Sequence, residues 1–469
     1  MIERLARVRI VLLLCLAIVG LGPVNCLYAA PAWRKVKRPA PARRQPAPPR
    51  APQTRAAALQ AVQSRMDSGP HSTFVQNPAG LIPFFEQLRR LERQEWNGVL
   101  PVLAFGDSHT AADEWTDALR QAFQQRFGDG GNGFSMAGRL LGYRRFDVKA
   151  GNSMGWSPAG LLSAASDGWH GIAGVSFNAH RAGEAAYVTA DASRVELHYW
   201  RQPGGGAITL LADGQPVQTL STGGPGGFGY FEHEPTAGVP QRFEAQTMDN
   251  LPVRLLGWVT EKQRGVTVEP LGINGAQASI FRNWNGDLLA SQVARRHPGL
   301  ILLAYGTNEA SSPGLTYENY KATISGFLKR LRQAAPTASI LVLGPPDRMA
   351  RTRSGVQPFP GFSRIVQAQR DAARENNCSF WDLQERMGGV GSLQRWVAAG
   401  AAQWDYVHFT APGYRLIGAT LFNDLMDAYA GFQQARQRIF STSAGLTSIP
   451  DSASHAPAGS GTASNEQDR

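Results

Sequence analysis

Val99-Leu100-Pro101-Val102-Leu103-Ala104-Phe105 runs directly into Gly106-Asp107-Ser108-His109, and a helical pattern follows at once. The first seven residues form a short apolar run ended by glycine, which reads as a strand buried on both faces. Trp115, Ala118, Leu119, Ala122 and Phe123 then recur at the spacing of one helix face. A strand, a tight turn and a helix hold the turn residue, Ser108, at the carboxyl edge of a sheet.

Further along, the same alternation resumes. Strands are expected at Val266 to Leu271, Leu300 to Tyr305, Ser339 to Gly344 and Cys378 to Leu383. Helices are expected at Leu81 to Trp96, Trp284 to Arg296, Tyr317 to Ala334, Gln367 to Glu375 and Pro412 to Tyr429. Five strands separated by helices imply a mostly parallel sheet covered on both faces, with ligands beyond the carboxyl ends of its strands. Ser108, Gly275 and Asn308 each fall just after an expected strand.

The stretch from 149 to 262 differs in character. Alternating segments such as Val195 to Trp200 and Ala207 to Leu211 are separated by turn signals, among them Asp213-Gly214 and the glycine-rich run Gly223 to Gly229. It reads as a β-sandwich inserted between residues 76–148 and 263–435 of one α/β domain. Its aromatics, Trp169, Trp200, Tyr230, Phe231 and Trp258, suit sugar stacking, but burial preference assigns most of them to packing.

The ends are simpler. Arg4, Arg7 and Arg9 precede the apolar run Ile10 to Leu21, and small residues follow at Ala30 to Ala32, so 1–32 reads as a secretory signal or an uncleaved signal anchor. Cys26 lacks the flanking residues of a lipidation site. Residues 33–75 read as a basic linker rich in Pro and Ala, and 436–469 as a disordered tail. Of the net charge of +11, eight cations lie between Trp33 and Arg55 without an acid. Placed after an export signal, they suit anionic lipid or cell-wall carboxylates, or a solvated spacer, rather than nucleic acid. Of three cysteines only Cys378 follows the signal, so no internal disulfide is expected and Cys378 reads as a buried thiol.

A serine becomes a nucleophile only when a base removes its proton and a partner orients that base. Nine histidines are present, and two stand three residues after an aspartate: His170 after Asp167 and His408 after Asp405. The first pair lies at the edge of the β-rich insert, the second in the loop before the last helix, where Thr410 is expected to cap and Pro412 suits the first turn. Position therefore favours His408 as base and Asp405 as its orienting carboxylate. The Ser108 and Gly275 backbone N–H groups and the Asn308 side-chain amide are candidate oxyanion donors.

Gly106-Asp107-Ser108-His109, Gly275, Gly306-Thr307-Asn308-Glu309 and Asp405-Tyr406-Val407-His408 resemble, in this order, the four blocks of the SGNH (GDSL-type) hydrolase superfamily. His109 departs from the usual leucine after the serine. The resemblance implies a flavodoxin-like α/β/α fold with Ser108, Asp405 and His408 as triad and Ser108, Gly275 and Asn308 as oxyanion hole. The long insertion is similar to that of bacterial peptidoglycan O-acetylesterases, whose inserted domain resembles a carbohydrate-binding module. This implies an exported esterase, periplasmic or in the cell envelope, acting on an acetylated glycan with no metal or other cofactor. Two alternatives use the same residues: an O-acetyltransferase, and a non-catalytic wall-binding protein.

Overall fold

The structure, a computed structural model, describes residues 54–69, 71–236 and 238–446. The signal segment 1–32, the linker up to residue 53 and the tail beyond 446 lie outside the described residues.

The central sheet is built from β1 (Val75–Gln76), β2 (Val99–Gly106), β3 (Gly265–Gly272), β4 (Leu300–Ala304), β5 (Ser339–Leu343) and β6 (Ser379–Trp381). Their order is β1-β6-β5-β4-β2-β3. The five longer strands are parallel, and only the two-residue β1 pairs antiparallel, with Val75 opposite Trp381. Successive side chains face opposite layers. Leu103, Phe105, Ile301, Leu303, Ile340 and Val342 enter one core, and Val102, Ala104, Leu300, Leu302, Leu341 and Leu343 enter the other. Both faces are thus dry, which explains why these strands read as continuous apolar runs.

The chain leaves β2 toward β3 on one side and then crosses to β4 on the other. Such a reversal opens a crevice at the carboxyl end of the first strand. Ser108 follows β2 and Asn308 follows β4, so both stand at the mouth of that crevice.

Between β2 and β3 the chain builds two antiparallel sheets that share one core. Phe243, Val188 and Leu210 come from one sheet, and Leu197, Leu255, Phe177 and Trp258 from the other. This sandwich starts ahead of residue 149, because strand Gly131–Ser135 already pairs with Val253–Glu261. Its core is also continuous with that of the parallel sheet. Trp169 and Trp200 stack at 4.1 Å against the helix Gly286–Arg296 through Leu288, Trp258 is buried, and Arg295 lies 3.8 Å over the ring of half-exposed Tyr230. Arg296 ties the two parts together, reaching Glu261 of the sandwich at 2.7 Å and Glu269 of β3 at 2.5 Å.

Two expectations need correction. Residues 55–75 are not linker: Arg55–Asp67 is a helix capped by the Thr54 hydroxyl, and β1 lies on the sheet edge. The run Ala56-Ala57-Ala58 has high helix propensity, and Val62 and Met66, one turn apart, bury into the core around Trp396. The closing helix likewise continues to Leu446, taking up residues 436–446, and Arg436 pairs with Glu86 at 3.2 Å. Extending an existing helix fixes one residue per added bond, so a weakly helical sequence can follow it. Cys378 is buried, and burial pushes its thiol pKa up.

Candidate active site

Asp107 shapes the turn after β2. Its carboxylate accepts the His109 N–H at 3.0 Å, and its carbonyl accepts the N–H groups of Thr110 and Ala111. The short helix Ser108–Ala111 therefore starts at the serine. Burial raises the Asp107 carboxyl to a pKa of about 8. Among the described residues the Ser108 backbone N–H has no partner, as expected at a helix start.

Ser108 Oγ lies 3.0 Å from His408 Nε2, and His408 Nδ1 lies 2.7 Å from Asp405 Oδ2. The spacing of Asp405 and His408 has a physical reason. The other oxygen, Oδ1, accepts the backbone N–H groups of Val407 at 2.9 Å and His408 at 3.0 Å, so one carboxylate both folds the loop and orients the ring. Tyr406 takes φ +60° in the middle of this turn, a strained conformation for an aromatic residue. Partial burial opposes ionisation of Asp405. The hydrogen bonds from the His408 ring, then from the His408 and Val407 backbones, outweigh it and hold the carboxyl below its ordinary value. Arg351 braces the loop, donating to the Trp404 carbonyl at 2.8 Å and lying 5.0 Å over the Tyr406 ring. Thr410 does not cap the closing helix with its side chain: its hydroxyl donates to the Gly400 carbonyl at 2.9 Å, pinning the loop's far end.

His109 is not the base, although its ring centroid lies 5.2 Å from that of His408. Its Nδ1 is 2.8 Å from the Tyr414 hydroxyl, and burial lowers its pKa to about 3, so it stays neutral beside the working imidazole. The rival His170 is buried with both ring nitrogens occupied, by Ser166 and Ser176 at 3.0 Å each.

The remaining two blocks are stitched together. Ile273 N–H donates to the Gly106 carbonyl at 2.9 Å, fastening the end of β3 to the end of β2. Gly275 has φ +76°, which favours glycine, and open space where a Cβ would stand. Asn308 Nδ2 donates to the Ala276 carbonyl at 2.9 Å, and a side-chain amide has a second N–H to offer. Glu309, whose role the sequence did not reveal, is the clasp: its two oxygens accept Ala278 N–H at 2.7 Å and Gly306 N–H at 3.0 Å. Arg348 holds the same turn through the Thr307 carbonyl and Ser311 Oγ. A signal for Glu309 was present in its block, whereas nothing local marks Arg348. Among the described residues, no three His, Cys, Asp or Glu side chains gather as metal ligands.

A GDSL-like lipase/acylhydrolase family model matches residues 235–416, which hold Gly275, Asn308, Asp405 and His408 but not Ser108. A solved structure described as a peptidoglycan O-acetylesterase in action matches with a TM-score of 0.65 and 26% identity, over 74% of this chain and 96% of that one. Residues 235–416 match the GDSL-like lipase/acylhydrolase family, and in fold and in its four blocks the chain is similar to SGNH (GDSL-type) hydrolases. The insertion accounts for the partial sequence match, since it moves Ser108 far from the other three blocks. A family two carbohydrate esterase from Clostridium thermocellum in complex with cellohexaose matches at 11% identity, over 58% of this chain and 98% of that one, with a TM-score of 0.26. That likeness is too remote to carry a functional argument. No curated protein matches the chain in sequence.

Proposed function

We propose that this protein is an exported serine esterase that removes O-acetyl groups from a cell-envelope polysaccharide, with peptidoglycan as the substrate, through an acetyl-serine intermediate. The observation that carries this reading is the continuous hydrogen-bonded line Ser108 Oγ, His408 Nε2, His408 Nδ1, Asp405 Oδ2. The 26% identical peptidoglycan O-acetylesterase supplies the substrate class.

His408 Nε2 takes the Ser108 proton as Oγ attacks the acetyl carbonyl. The negative charge that develops on the carbonyl oxygen meets the N–H groups of Ser108 and Gly275 and the free N–H of Asn308. Collapse of this intermediate expels the sugar oxygen, which takes the proton from His408. Water then enters, gives a proton to His408 and attacks the acetyl carbon; collapse breaks the bond to Ser108 Oγ, which takes the proton back from His408 as acetate leaves. Asp405 keeps Nδ1 protonated throughout, so Nε2 faces the serine as acceptor.

Export rests on the sequence of residues 1–32. Among the described residues no helix is long and apolar enough to cross a membrane. The test is acetate release from O-acetylated peptidoglycan by the purified protein and by Ser108→Ala, in the presence and absence of a glycan acceptor. Acetate release abolished in the variant is expected. Acetyl transfer to the acceptor outrunning acetate release would make the protein a transferase, and equal activity of the variant would remove the serine mechanism. Fractionation of cells expressing the full chain tests export.

A further inference from the structure

The segment 136–150, which leads from the sandwich strand Gly131–Ser135 toward strand Lys149–Asn152, lines a cleft of about 590 Å³. Three hydrogen bonds hold it against the nucleophile's helix and against β3 with the loop that follows it. Arg144 N–H donates to the carbonyl of Ala111, three residues after the nucleophile, at 3.1 Å. Asn274, immediately before Gly275, donates through Nδ2 to the Gly142 carbonyl at 2.9 Å, and the Tyr143 hydroxyl donates to the Pro270 carbonyl. The cleft's lining segment is therefore hydrogen-bonded to the short helix that starts at the nucleophile and to the residue before one oxyanion donor.

The lining has a definite chemistry. The segment carries four cations, Arg139, Arg144, Arg145 and Lys149, against one acid, Asp147. Arg145 is committed to Asp147, at 2.5 Å, and to backbone carbonyls. Arg144 is mostly exposed and only loosely paired with Glu114, at 3.7 Å. Arg139 and Lys149 are exposed and form no ion pair among the described residues. Beside them Leu141 is fully exposed and Phe146 half-exposed. Unpaired cations next to open apolar side chains suit an anionic ligand with aliphatic parts, and the volume suits a piece of a few residues.

We propose that this cleft binds the carboxylate-bearing, aliphatic peptide branch of the wall glycan, so that peptide-substituted sugars are presented to Ser108. This rests on the reading of the chain as a peptidoglycan esterase. Arg139 and Lys149 take the carboxylates, while Leu141 and Phe146 cover the aliphatic side chains.

The test uses the full chain and the variant Arg139→Ala/Lys149→Ala, with equal thermal midpoints confirming the fold. Calorimetry measures binding of a wall disaccharide-peptide without acetyl ester and of the same disaccharide stripped of peptide. Removing two charge-assisted contacts is expected to weaken the peptide-bearing fragment about tenfold, with the peptide-free sugar unaffected. The kcat/KM for 4-nitrophenyl acetate stays unchanged, and acetate release from peptide-bearing glycan falls through KM. Unchanged affinity for the peptide-bearing fragment, or equal weakening of both fragments, overturns the proposal. Failure of the wild-type chain to release acetate from any ester would instead sink the esterase reading, and the binding result would still decide what the cleft holds.

Discussion

Two segments carry the same spacing, Asp167 to His170 and Asp405 to His408, and they end in opposite roles. In each, the aspartate accepts a backbone N–H two residues on, from Trp169 at 3.0 Å and from Val407 at 2.9 Å. The local turn is therefore common to both. The difference lies in which ring nitrogen meets the carboxylate and what is left for the other. Asp405 takes Nδ1 of His408 at 2.7 Å, so Nε2 is free to face Ser108. Asp167 lies 3.7 Å from Nε2 of His170 and is drawn instead to Arg254 at 2.8 Å, while Ser166 and Ser176 occupy both nitrogens of a fully buried ring. A spacing can build a turn, but a base also needs an exposed nitrogen with a nucleophile in reach.

The sharpest way to break this contrast is to remove the working side. Ser108→Ala and His408→Ala should each lower kcat on an acetyl ester by about a million-fold with folding intact, as members of a triad act as a unit. A fully active His408→Ala protein would falsify the assignment. Asp405→Asn should cost less, about ten-thousand-fold, because the ring then loses the acceptor that fixes its tautomer. Steady-state kinetics of the three variants checks the ranking. Asn308→Ala should lower kcat by about a hundred- to a thousand-fold while leaving Ser108 and His408 hydrogen-bonded.

On the other side of the comparison, His170→Ala should leave kcat/KM within about twofold, since this ring donates nothing to the site, yet lower stability by about 1–3 kcal/mol by stranding the buried Ser176 hydroxyl. Activity and urea unfolding measured on one preparation separate the two effects. Acid sharpens the contrast further. Burial lowers the His170 pKa below the ordinary 6.5, so the unfolded chain takes up a proton before the folded one does. Its contribution is complete above pH 6.5 and shrinks as the pH falls through that value. His109 and His198, both held at about 3 by burial, act in the same direction. Asp107, raised to about 8, opposes them, because its folded form already holds the proton that the unfolded chain gains only near 3.8. The drop in urea midpoint from pH 7 to pH 5 should therefore be smaller in His170→Gln than in the wild type, and an identical drop would remove His170 from this account.

Much of the α/β domain was legible because its signals are local. Tyr317–Ala334 forms a helix with the bounds its periodicity indicates, and Val99–Gly106 forms a strand buried on both faces. The ends of the domain were misread because composition outweighed contacts. Arg55–Asp67 looks like linker until Val62 and Met66 meet Trp396, and β1 has only two residues with which to announce itself. The start of the sandwich was hidden in the same way, since the glycine-containing stretch Gly131–Ser135 has little strand propensity of its own and becomes a strand by pairing with Val253–Glu261.

By itself the sequence determined the alternation of strands and helices, the residues that end each strand, and the turn that one aspartate imposes on the histidine three residues later. These follow from backbone conformation and hydrophobic periodicity over a few residues. Only the tertiary structure decided which histidine serves Ser108, that Glu309 and Arg348 clasp the oxyanion turns, and that 136–150, with its open cations, is fastened to the helix that starts at the nucleophile. Each of those depends on side chains far apart in the chain, and distance in space is set by how layers pack rather than by any local preference.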